Sequence, residues 1–188
     1  MASKERQQLF SPLMETVQQR NTALPDCLQL LTLICERPTG LARLQEFILG
    51  ETEILHHFLA LITDDQQRLK AVGLVTRLCR DQVDLQRMAV FAGTAERCID
   101  ILREEGGLVI GGSLVRACFE LVTVLVDDNH GNQEYVSMQS CFIELMQSCF
   151  QVVEVLLEGP SVAESAWNMC AACLSVDSGK LPLLQQTV

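Results

Sequence analysis

One pattern returns along this chain at intervals too long for a single helix. It reads LLTLICERPTGLARLQEFI, then LVTRLCRDQVDLQRMAVF, then LVTVLVDDNHGNQEYVSM, and a weaker copy, CAACLSVDSGKLPLLQQTV, comes last. Each copy is an apolar run, a polar turn and a second amphipathic run. Aligning Leu33, Arg77, Val124 and Cys173 gives spacings of 44, 47 and 49 residues. One such unit cannot bury its own apolar face, so neighbouring units must stack to make a continuous core. Helix pairs at this period predict an all-α fold, an armadillo/HEAT-like right-handed α-solenoid of about three to four repeats. A stacked solenoid is a surface for partners before it is a pocket for chemistry.

The 188 residues read as one repeat domain, 1–188. An entry helix occupies 1–22, and the repeat units run over 24–65, 66–112, 113–160 and 161–188. The entry helix is expected from Glu5 to Gln19, with Leu9, Leu13 and Val17 on its apolar stripe and Pro12 weakening its start. Asp26 is placed to cap the next helix, whose apolar face includes Leu30, Leu31 and Ile34, and Pro38 and Gly40 end it. LARLQEFILG forms a short helix stopped by Gly50, and EILHHFLALI forms the next. Gln67 to Arg80 carries Leu69, Val72, Val75 and Leu78 at one-face spacing. A short helix from Leu85 to Ala92 stops at Gly93. Thr94 and Ser113 are positioned as caps for the helices that follow. DDNHGN reads as a turn, and Gly159–Pro160 breaks the chain before the last copy. No stretch alternates in the manner of a strand.

Composition narrows the function classes. Net charge is −10 with no cluster of Lys or Arg. Nucleic-acid binding needs a basic footprint, and so does adsorption to an anionic membrane, so neither is expected. The nine cysteines are scattered, mostly inside apolar runs, at no framework spacing. They read as reduced core residues of a cytoplasmic protein. The N-terminus lacks the apolar core of a signal peptide, and no run approaches the roughly 18 apolar residues of a membrane span.

No catalytic residue, metal site or cofactor is expected. Cys170 and Cys173 stand at CxxC spacing, but there is no second pair and no nearby His, where zinc takes about four ligands. His56 and His57 point away from each other on a helix, and His130 stands in a turn. GGLVIGGS fits neither GxGxxG nor a P-loop and follows a helix rather than a strand. The carboxylate pairs Asp64–Asp65, Glu104–Glu105 and Asp127–Asp128 fall at helix ends or turns. No serine stands in a GxSxG elbow.

Within this pattern, MAVFAGTAERCIDILREEGG followed by SLVRACFELVTVLVDDNHGNQEYV resembles part of the armadillo-like head of the general vesicular transport factor family, the golgin tethers of the Golgi. The matching positions are Glu96, Arg97, Asp100, Ile101, Glu104, Glu105 and Gly106, then Asn129, Asn132 and Gln133 in the N-x-x-N-Q turn. LKAVGLVTRLCRD is similar to the preceding repeat helix. The resemblance covers about Leu24 to Met146. It implies a non-enzymatic scaffold for vesicle tethering in ER-to-Golgi and intra-Golgi transport. Its implied partners are Rab-family GTPases, SNARE proteins and other tethers, with homodimerisation and peripheral association with Golgi membranes through those partners. Family heads are longer and are followed by a coiled coil and an acidic tail. These 188 residues include neither, which leaves a head fragment and a shortened relative as the two readings. A generic armadillo adaptor in signalling or cytoskeletal assembly is the alternative.

Five residues are candidates for partner contact: Arg77, Arg80, Asn129, Asn132 and Gln133. Arg77 and Arg80 stand near a helix C-terminus, where cations complement the dipole, and Arg77 is suited to an acidic partner if it faces the concave surface. The three amides have a second reading, capping of the helix that follows the turn. The Asn ladder of armadillo receptors for nuclear-import signals is missing. Leu33, Arg77, Val124 and Cys173 occupy its places, and Trp167 with Asn168 is a single instance.

Overall fold

The computed structural model describes residues 2–105, 112–139 and 142–143, with side chains from Gln8 onward. Most of the glycine-rich loop, the last repeat unit, Gly106, Cys141, Cys149, Cys170, Cys173, Trp167 and Asn168 lie outside the described residues. Every regular element among the described residues is a helix: α1 (Ala2–Gln19), α2 (Leu24–Cys35), α3 (Pro38–Gly50), α4 (Glu53–Leu61), α5 (Arg68–Cys79), α6 (Val83–Phe91), α7 (Thr94–Glu104), α8 (Ser113–Val126) and α9 (His130–Met138). The described residues are all-α, as the repeat period requires. Its contacts group into two compact units, Met1–Ala92 and Gly93–Val188, where the sequence reading has one domain.

In the first unit α2 and α5 pack side by side, and α3 lies against α2, α5 and α6. The helix α1 covers α2, α3 and α4. Its Phe10 ring meets Phe47 of α3 with centroids 5.3 Å apart. The buried stripe of α1 is Phe10, Met14 and Val17, at i, i+4 and i+7, while Leu9 is 54% exposed. This corrects the expected Leu9–Leu13 stripe by one position; the large ring of Phe10 takes the inward place. In α2 the buried face is Leu24, Cys27, Leu28, Leu31 and Cys35, and Leu30 points outward. Asp26 does not cap α2. It stands in the first turn, with Ala23 at the N-cap and Pro25 inside the start. The carboxylate there favours the positive end of the helix dipole instead.

Pro38 opens α3 rather than closing α2, because its missing N–H costs nothing in a first turn. Gly40 is a steric necessity there: a Cβ at this position would run into the Ile34 carbonyl. Gly93 has φ of 78° and separates α6 from α7. Thr94 is already inside α7 and makes no cap bond, and its buried hydroxyl has no partner. Ser113 is likewise the first residue of α8, after Gly112 at the N-cap, and makes no cap bond.

The 47-residue spacing is visible atom by atom. Thr76 donates its hydroxyl to the Val72 carbonyl and Thr123 to that of Phe119, both at 2.8 Å. The helix α5 ends at Arg80 (φ −62°, ψ 127°), and α8 ends at Asp127 (φ −63°, ψ 127°). Asp81 and Asp128 then take left-handed backbone, φ 57° and 47°. Gln82 (φ −130°, ψ 86°) and Asn129 (φ −124°, ψ 85°) start the next helices. The segments 74–91 and 121–138 are two copies of one helix–turn–helix. The expected DDNHGN turn is shorter than read: only Asp127, Asp128 and Asn129 lie outside helix, and His130, Gly131 and Asn132 belong to α9.

Candidate functional site

The five candidate contact residues fall into two places of opposite character. Asn129, Asn132 and Gln133 are buried, with relative exposures of 2%, 5% and 8%. Asn129 is the N-cap of α9, and its side-chain oxygen accepts from the Asn132 N–H at 3.4 Å. Asn132 Nδ2 donates to the Leu125 carbonyl at 2.7 Å. That carbonyl is among the last of α8, a group with no partner inside its own helix. Asn132 therefore closes α8, and Asn129 opens α9.

The corresponding carbonyl in the first unit, that of Leu78, accepts from Gln45 Nε2 of α3 at 2.9 Å. Gln45 is itself buried. Leu85, the counterpart of Asn132, is a buried core residue. Sequence reasoning missed Gln45. A lone Gln in an amphipathic helix gives no local sign that it answers a carbonyl 33 residues away.

Arg77 and Arg80 stand at the C-terminal end of α5. The Arg77 side chain is 41% exposed and reaches Glu36, just past the end of α2, at 3.9 Å. Arg80 is exposed at the C-cap, its N–H bonded to the Thr76 carbonyl. Two buried thiols lie at this edge. Burial pushes Cys35 up to about 11, with the Arg77 charge pulling the other way. Burial alone takes Cys79 to about 12. Such thiols are almost wholly protonated at neutral pH, which suits packing rather than nucleophilic or metal chemistry. The Cys98 thiol is raised by its side-chain hydrogen bond with the Cys118 thiol and by burial. All five described cysteines are free and buried.

Among the described residues no group of three or more His, Cys, Asp or Glu side chains is placed to hold a metal ion. His56 is exposed on α4, its Nδ1 3.3 Å from the Thr52 carbonyl, and His130 is exposed at the start of α9. No described helix is long and apolar enough to cross a membrane. The outward side of α2 and α5 carries three exposed leucines: Leu30, Leu33 and Leu69.

The chain is similar to the general vesicular transport factor p115. Identity is 27% over 124 residues, both to the Bos taurus protein and to the Homo sapiens protein. The match takes in 66% of this chain but 11% of each relative. No family model matches the chain.

Proposed function

We propose that this chain is a non-enzymatic interaction scaffold acting in vesicular transport, specifically in vesicle tethering between the ER and the Golgi. The similarity to general vesicular transport factor p115 carries this reading. The helical repeats supply its physical means, since stacked helix pairs present extended faces to partners. The partners are proteins of the trafficking machinery: a Rab-family GTPase, a SNARE or another tether, and a second copy of the chain. Membrane association is peripheral, through those partners, on the cytoplasmic side of the Golgi. Arg77 and Arg80 are the contact residues that the exposed edge of α5 offers. The buried amides Asn129, Asn132 and Gln133 belong to the α8–α9 turn of the second unit.

The test is capture of Rab proteins by the immobilised chain, with each GTPase loaded in turn with GTP and GDP, alongside imaging of the tagged chain in cells. Nucleotide-dependent capture and Golgi recruitment are expected. Capture indifferent to nucleotide, together with diffuse distribution in cells, would sink the tethering role.

A further inference from the structure

The two matching copies of the helix–turn–helix carry opposite charge. Residues 68–91 hold five cations, Arg68, Lys70, Arg77, Arg80 and Arg87, against Asp81 and Asp84, a net of +3. Residues 115–138, the same stretch 47 residues on, hold Arg116 against Glu120, Asp127, Asp128 and Glu134, a net of −3. None of the five cations is kept: Val115, Ala117, Val124, Asp127 and Glu134 take their places. The turn angles of the two copies match, so the fold does not require the reversal. The acidic character continues along the chain, since Ala117 to Gly179 contains nine Asp and Glu and no Lys or Arg.

The acidic copy also presents an apolar stripe. In α9 the exposed residues Gly131, Glu134, Tyr135 and Met138 stand at i, i+3, i+4 and i+7, one face of a helix. Asn132, Gln133 and Val136 take the buried face. Met138 is 63% exposed, and Phe91, its counterpart at the end of α6, is 93% exposed. Both copies thus present a large apolar residue at this position. They differ in its flanking charges: Arg80 and Arg87 in the first, Asp127 and Glu134 in the second. Asp127, Asp128 and Glu134 are exposed, and their carboxylates form no ion pair among the described residues. The cations of residues 93–188 are placed elsewhere. Arg97 and Arg103 are on α7, where Arg103 pairs with Asp100. Arg116 is near the start of α8, at the far end from the turn, and Lys180 lies outside the described residues.

We infer that the α9 face, with the acidic turn that leads into it, docks a basic amphipathic helix of a partner protein. Apolar residues of that helix seat on Tyr135 and Met138. Lys or Arg on its flanks meet Asp127, Asp128 and Glu134. An exposed helical stripe takes a second helix by ridge-and-groove packing, read as anchors at i, i+3 or i+4 and i+7. Charge complementarity selects the basic partner and speeds its approach. This rests on the reading of the chain as an interaction scaffold but not on its place in vesicle traffic.

The full 188-residue chain is titrated at physiological ionic strength against a labelled synthetic helical peptide with a Leu stripe flanked by Arg, followed by anisotropy. Two control peptides replace every Arg by Glu or every Leu by Ala. The Arg peptide with its Leu stripe should bind roughly tenfold or more tightly than either control, the size of effect expected when an anchor is removed. A chain of net charge −10 attracts any cation, so two double variants separate this face from bulk charge. Asp127→Arg/Glu134→Arg introduces the first copy's residues, which the same backbone already accommodates there. Glu15→Arg/Glu51→Arg makes the same change in net charge at exposed positions of the first unit. The first pair should weaken binding roughly tenfold and the second less than about twofold, because distant exposed charges are screened. Met138→Gln should weaken binding severalfold, and circular dichroism should be unchanged throughout. Equal loss in the two double variants overturns the proposal, as do indifference to Met138→Gln and equal binding of the peptide without Leu. Self-association of the chain that Asp127→Arg/Glu134→Arg abolishes also overturns it, by making a second copy the occupant. Failure of the unmodified chain to capture Rab proteins counts against the tethering role alone and leaves this proposal standing.

Discussion

The carbonyls of Leu78 and Leu125 hold the same place in two copies of one helix–turn–helix, and different amides satisfy them. In the first unit Gln45 reaches in from α3. In the second, Asn132 turns back from the following helix. The difference shows what a repeat fold holds constant. It keeps the backbone and the requirement, a late helical carbonyl needing a donor, and leaves the donor open. The exposed and the buried candidates are different positions of the unit: Arg80 corresponds to Asp127, also exposed, and Asn132 and Gln133 correspond to Leu85 and Gln86, also buried.

The sharpest way to break this comparison is to delete each amide. Asn132→Ala and Gln45→Ala should each cost about 1–3 kcal/mol in urea unfolding, the penalty for stranding a buried acceptor. A loss of only a few tenths at either site would mean that its carbonyl has another donor. Next in size is the cap. Asn129→Ala should cost ~1 kcal/mol, with most of it kept in Asn129→Asp. Gln82, at the same turn position, makes no side-chain cap bond. Gln82→Asn should therefore gain stability by up to about 1 kcal/mol, and no gain would show that the two turns differ more than their dihedral angles indicate.

Smaller again is the left-handed residue shared by both turns. Asp81→Gly and Asp128→Gly should each shift stability by less than ~1 kcal/mol, upward where relief of the left-handed backbone outweighs the entropy glycine adds to the unfolded chain. Because the two backbones match, the two shifts should match, and unequal values in paired melting curves would break the equivalence. The least effect is expected at Arg77. Its pair with Glu36 is exposed and long, so Arg77→Ala should change unfolding free energy by less than about 1 kcal/mol. Any larger change would mark Arg77 as a structural residue rather than a contact residue.

The thiols at the α2–α5 edge add a pH test. Their folded pKa values lie above those of the unfolded chain, so their contribution to stability is complete below about pH 8.5, the ordinary thiol range. It is then lost as pH rises toward the folded values of about 11 for Cys35 and about 12 for Cys79. Native-state alkylation at pH 8 should be far slower than alkylation in denaturant; equal rates would show that the edge opens readily.

Much of the architecture is legible in the chain itself. The period, the helix pairs, the break at Gly93 and the capping role of Asn129 follow from local chemistry: spacing of apolar residues, glycine's backbone freedom and the reach of a short amide. The 47-residue register between Arg77 and Val124 is the same kind of information, and the matching turn angles bear it out. What the tertiary structure alone decided is which member of each stripe faces inward. Leu9 gives way to Phe10 and Leu30 to Leu28, because an apolar stripe is broad and only the neighbouring helix selects its centre. It alone decided that Gln45 answers Leu78. A helical repeat is written in local periodicity, while the partner of a buried carbonyl and the exposure of a leucine depend on contacts far apart in sequence.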